Sequence, residues 1–104
     1  MNKTNMLFIV TKSGQSIKLQ ENQITETPYI RLTKGDRIVS EIRYNDKEIK
    51  EVLCITSKGW GLRFLLSDIR IMGVGGSGVS CMKLTSKSGY IIGAEGLLSP
   101  NLAT

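Results

Sequence analysis

Between Gly73 and Val79 the sequence reads GVGGSGV, four glycines in seven positions. Glycines at this density let a backbone turn with positive φ or approach another group closely, and a run of exposed backbone N–H groups can cradle a phosphate. The residues that follow, GSGVSC, lack the Gly-Lys-Ser/Thr ending of a nucleotide-binding loop, so the phosphates of a bound nucleotide are not the expected ligand. The positive side chains favour a larger polyanion. Fourteen Lys and Arg stand against nine Asp and Glu, for a net charge of +5. From Val52 onward Lys58, Arg63, Arg70, Lys83 and Lys87 are opposed only by Asp68 and Glu95, which places the glycine loop in the more basic half.

Other chemistries find little support. The chain has no histidine and no nucleophile elbow, so the usual hydrolytic triads are absent. Cys54 and Cys81 lie 27 positions apart in apolar runs. Without histidine they read as buried free thiols and not as part of a zinc site. No cofactor is expected. No apolar run is long enough to span a membrane, and the segment after Met1 lacks the features of a secretory signal, so a cytoplasmic location is expected.

The elements that must position these residues are strands. At 104 residues the chain has room for one small domain, 1–104. LFIVTKSGQSIKL from Leu7 lies over VLCITSKGWGLRF from Val52 at a constant offset of 45, matching Val10 with Ile55, Thr11 with Thr56, Gly14 with Gly59 and Lys18 with Arg63. This is a hairpin written twice, and its basic residue flanked by apolar ones predicts a strand pair with one wet face. IRLTKGDRIVSE from Ile30 likewise matches MKLTSKSGYIIGAE from Met82 with short gaps. The expected fold is all-β, two four-stranded antiparallel blades covering about 6–50 and 51–98, joined by the charged NDKEIKEV.

The ordered set Lys58-Gly59-Trp60-Gly61, Arg63, Ser67-Asp68-x-Arg70, the loop glycines Gly73, Gly75, Gly76 and Gly78 with Val79, and Lys83-Leu84-Thr85 resembles a blade of the C-terminal β-pinwheel domain of the bacterial DNA gyrase A and topoisomerase IV A subunits. The resemblance implies a propeller-like fold in which each blade passes a strand to its neighbour. It also implies binding and bending of duplex DNA along a basic outer edge, with gyrase or topoisomerase subunits as partners and no catalysis by the module itself. The glycine loop corresponds to the family's signature box, but Val74 and Ser77 stand where the full box is basic. The DNA contacts expected from the resemblance are Lys58, Arg63, Arg70, Lys83, Lys87 and Lys18, extended by Lys12, Arg31, Lys34 and Arg37. The resemblance gives little weight to Arg43-Tyr44 as a cleavage pair, and Tyr44 reads as a strand-end aromatic. Trp60 reads as a packing or blade-contact residue.

The neutral box also favours an alternative, a self-assembly or protein-interaction module in which DNA binding has decayed. A third reading, an unrelated β domain with a small-molecule site, would need convergent polar groups that the sequence does not show. Two blades leave unpaired strand edges, which predicts self-association, either as a ring of copies or by exchange of the first strand, Leu7 to Thr11.

Overall fold

Every strand in the computed structural model, which describes residues 5–24, 30–45, 47–72, 78–81 and 83–98, belongs to one of two antiparallel sheets. The strands are β1 (Asn5–Thr11), β2 (Gln15–Gln20), β3 (Ile38–Asn45), β4 (Ile49–Thr56), β5 (Gly61–Leu65), β6 (Val79–Ser80) and β7 (Ile91–Leu98), and short 3-10 turns follow β2 and β5. The order is β3-β1-β2-β6 in the first sheet and β5-β4-β7 in the second. The all-β class and the paired hairpins match the expectation. The strand count of the second sheet differs. Its third strand in sequence, β6, crosses over and pairs with β2, Gln15 opposite Ser80 and Ser16 opposite Val79. The joining segment is also shorter than expected, since Ile49 already opens β4.

The two hairpins are built by the same turn chemistry. In the first, the Gly14 amide bonds the Thr11 carbonyl at 3.1 Å, and the Thr11 hydroxyl accepts from the Gln15 amide at 3.1 Å. In the second, Gly59 bonds Thr56 at 3.1 Å and the Thr56 hydroxyl accepts from Trp60 at 3.1 Å. Burying Thr11 and Thr56 is tolerable because each hydroxyl has this local partner.

β1 is not an edge strand. It pairs with β2 on one side and β3 on the other, and Met6 to Val10 are all buried. An unbroken apolar run is what a strand covered on both faces requires. Met6, Phe8 and Val10 face the second sheet and meet Val52, Cys54, Leu66, Ile69 and Ile91, with the Phe8 and Phe64 rings 5.9 Å apart. Leu7 and Ile9 face the opposite way, with Ile17 and Leu19, under a cover that includes Ile24, Ile30, Ile38 and Met72. The expectation of one wet face therefore fails for the first hairpin, because its sheet is packed on both sides. Lys18 lies on the face toward the second sheet, and its Nζ donates to the Leu66 carbonyl at 2.9 Å. In the second sheet the corresponding face, carrying Leu53, Ile55, Arg63 and Leu65, points outward. Tyr44 is buried near the end of β3, as expected of a strand-end aromatic.

Candidate nucleic-acid interface

Four turns meet at one end of the two sheets: Thr11–Gly14 between β1 and β2, Thr33–Asp36 before β3, Thr56–Gly59 between β4 and β5, and Thr85–Gly89 before β7. Their contacts form a continuous chain. The Ser13 amide and hydroxyl donate to the Asp36 carboxylate at 2.9 and 2.5 Å, and the Lys12 amide bonds the Arg37 carbonyl at 2.9 Å. The Lys12 carbonyl accepts from Ile91 at 3.0 Å, and the Lys12 ammonium lies 4.9 Å from the centre of the Tyr90 ring. Ser57 and Tyr90 exchange bonds of 2.8 and 3.2 Å, and the Lys58 ammonium donates to the Ser86 carbonyl at 2.8 Å. Two sheets are thereby stitched together at their tips, and side chains far apart in sequence are fixed on a common surface.

The turns carry several cations. Lys12, Lys34, Arg37, Lys58, Lys83 and Lys87 lie on these turns or directly beside them, and all but half-buried Lys12 are exposed. The acid within the four turns is Asp36. Burial pulls its pKa upward, but hydrogen bonds from the Ser13 and Thr11 side chains and from the Ser13 and Arg37 amides outweigh this and hold it below its ordinary value. Asp36 therefore stays ionised while its oxygens are engaged in organising the turns. An open cleft of about 430 Å³ lies between the first two turns and Tyr90, with Lys12, Lys34 and Leu84 in its wall.

The structure separates the six cations singled out in the sequence. Lys58, Lys83 and Lys87 belong to the turn end. Arg63 lies on the outward face of the second sheet, paired with Glu51 at 3.0 Å, and Arg70 is exposed beyond the second 3-10 turn. Lys18 points between the sheets, bonded to the Leu66 carbonyl. Lys12, Lys34 and Arg37, expected only as extensions, lie on or beside the first two of these turns. Tyr90, 46% exposed and beneath a lysine, was not singled out; its place just before β7, following the turn glycine Gly89, was the available signal.

Of the glycine loop, Gly73, Gly75 and Gly76 lie outside the described residues, as do Val74 and Ser77. The residues on either side are anchored to the outer edge of β2. The Met72 amide bonds the Lys18 carbonyl at 2.8 Å, and the Cys81 amide bonds the Gly14 carbonyl at 2.8 Å. Gly78 has φ +81°, and a Cβ there would enter the space of the Ser16 carbonyl. Close backbone approach thus explains this glycine. The matching edge of β5, by the 45-residue offset, has no strand against it among the described residues. Trp60, at the start of that edge, is 56% exposed.

A family model described as "DNA gyrase C-terminal domain, beta-propeller" matches residues 5–40 and 50–95. The gyrase A protein of Campylobacter fetus is 33% identical over 100 residues, which cover 85% of this chain and 11% of that protein. The fold resembles the solved DNA gyrase A C-terminal domain, with a TM-score of 0.78 and 22% identity over 91% of this chain and 32% of that one. It also resembles the crystal structure of the C-terminal domain of DNA topoisomerase IV, with a TM-score of 0.80 and 24% identity over 92% of this chain and 31% of that one. The chain spans about a ninth of the gyrase protein it matches and about a third of each solved domain. The matched hairpins, the strand passed from one sheet to the other and the family model that covers most of the sequence agree: the chain belongs to the DNA gyrase C-terminal domain family of β-propellers.

Proposed function

We propose that this domain is a non-catalytic DNA-binding module of a type II topoisomerase, and that it holds duplex DNA against the basic turn end and bends it there. The observation that supports this reading is that Lys12, Lys34, Arg37, Lys58, Lys83 and Lys87 lie on or near the four linked turns, whose acid is Asp36. The turns offer no helix to enter a groove, so the contacts are to phosphates and the binding has little sequence preference. Arg63 and Arg70 lie away from this surface and contribute less than Lys58 and Lys87. Lys18, already bonded to a carbonyl, supports the fold more than the DNA. The repeats of about 6–50 and 51–98 act as one unit because β6 joins them, and gyrase or topoisomerase subunits are the partners consistent with the family.

A mobility-shift titration tests this. Five phosphate contacts give a slope of about −4.5 in log K against log salt, so a fourfold rise in salt weakens binding roughly 500-fold. Replacing Lys34, Lys58 and Lys87 together with Glu abolishes the shift, whereas Arg63→Glu with Arg70→Glu only weakens it. No binding by the unaltered chain at low salt, or undiminished binding by the triple variant, overturns the proposal.

A second reading rests on the β5 edge. Trp60, Leu62 and Leu65 are exposed there, beside Ile55 on β4. In a longer chain the next blade would supply the missing strand; for this chain alone a second copy does so. This reading is self-association and is compatible with the first.

A further inference from the structure

The two cysteines, 27 positions apart in sequence, come together between the sheets. Cys54 is fully buried in the middle of β4, in the cluster that Phe8 and Val10 share with Val52. Cys81 follows β6 directly and packs against that same cluster while remaining partly exposed. It is held in place from the first sheet, its amide bonding the Gly14 carbonyl at 2.8 Å and its thiol donating to the same oxygen at 3.3 Å. Both residues therefore line one packed cluster, although they arrive from different sheets.

We infer that Cys54 and Cys81 form a dithiol that closes to an internal disulfide, with Cys81 as the attacking sulfur and Cys54 as the resolving one. Exposure assigns the roles, because only Cys81 can be reached by a dissolved oxidant. Proton affinity agrees: a hydrogen bond from Cys54 lowers the Cys81 thiol below its ordinary value, against the effect of burial and with help from the Ser16 hydroxyl, while the same bond and burial push Cys54 strongly up. The oxidant is a small disulfide such as oxidised glutathione. The Cys81 thiolate attacks one glutathione sulfur, forming a mixed disulfide and expelling one glutathione thiolate. The Cys54 thiol then gives up its proton, attacks the Cys81 sulfur and expels the second glutathione thiolate. Two protein thiols are oxidised and one glutathione disulfide is reduced to two thiols.

The bond would join β4 of the second sheet to the strand that the second repeat lays against β2. β6 is only two residues long, so its own pairing is slight. A crosslink at Cys81 fixes the downstream anchor of the glycine loop, and the thiol pair thereby ties loop attachment to redox state.

The test uses the complete chain, reduced and then equilibrated with glutathione buffers of increasing oxidising strength, quenched in acid, alkylated and weighed intact. The expected product is a monomer that has lost the mass of two hydrogens, takes up no alkylating agent and carries no glutathione. Its melting temperature is higher than that of the reduced chain. Cys54→Ser stops at a stable glutathione adduct on Cys81, and in the reduced wild type Cys81 alkylates roughly tenfold or more faster than Cys54. Accumulation of singly or doubly glutathionylated wild type, disulfides formed only between chains, or faster alkylation of Cys54 would each overturn the inference. The wild-type mass alone decides the main point if a variant fails to fold.

Discussion

Gly78→Ala separates two reasons for a glycine. Gly78 has φ +81° and Gly35 has φ +86°, so an L side chain at either position is strained by about 1–2 kcal/mol. Their surroundings differ. A Cβ at Gly35 meets nothing within 4 Å, whereas at Gly78 it is driven into the backbone of Ser16. Ser16 has little room to retreat, being fully buried, paired with Val79 and bonded through its hydroxyl to the Val79 carbonyl at 3.2 Å. Moving packed backbone costs about 1–3 kcal/mol beyond the strain. Gly35→Ala is therefore expected to cost about 1–2 kcal/mol and Gly78→Ala about 2–5 kcal/mol. For a domain of this size each kcal/mol lowers the melting temperature by about 4–8 °C, a difference that circular-dichroism melts resolve easily. The Cys81 amide, bonded to Gly14, should also exchange faster in the Gly78 variant than in the Gly35 variant. Equal losses in the two variants would refute the reasoning, since strain would then account for everything and close approach for nothing.

Two further outcomes follow from the same contacts. Asp36→Asn keeps one acceptor for the Ser13 amide but loses the carboxylate that takes the Ser13 hydroxyl, so it should destabilise by about 1 kcal/mol in urea melts near neutral pH. Because the folded pKa of Asp36 lies below the unfolded one, its stabilisation is complete above the ordinary carboxylate range and is lost as pH falls through the folded value, so wild type and variant should converge in strong acid. Leu62→Lys and Leu65→Lys, placed on the open β5 edge, should convert self-associated chains to monomers in light scattering after size exclusion; a wild type that is monomeric across micromolar concentrations would remove the self-association reading.

The hairpins were legible because they are local. Thr11 and Thr56 each pair with a turn glycine three residues on, and the flanking apolar runs repeat the same hydrogen bonds 45 positions apart. Sheet membership was less legible. A two-residue strand such as β6 carries no periodicity, and whether it pairs with β5 or with β2 depends on a loop that leaves Met72 opposite Lys18 and returns at Val79 opposite Ser16. The alternation around Lys18 and Arg63 is the same in both repeats, yet one face is covered and the other open, because only the first sheet has a second sheet stacked on that side. The proposed basic surface was half legible for a similar reason. Charge counting favoured the second repeat, but turns from both repeats are linked at one end, through Lys12 to Tyr90 and Ile91 and through Ser57 to Tyr90, only after the sheets have packed. The meeting of Cys54 and Cys81 depends on the strand crossing and has no local signal at all.

The crossing also explains the outer edge of β5, which has no strand against it among the described residues: the second repeat lays its own third strand against β2. Exchange of β1 would break the central pairings of the first sheet and both halves of the core. A second copy that left those elements in place would pair its β5 antiparallel with this one about a two-fold axis. The ion pair of Arg63 with Glu51 lies on the outward sheet face and not in the plane of the strands, so it leaves the backbone groups of that edge available for pairing.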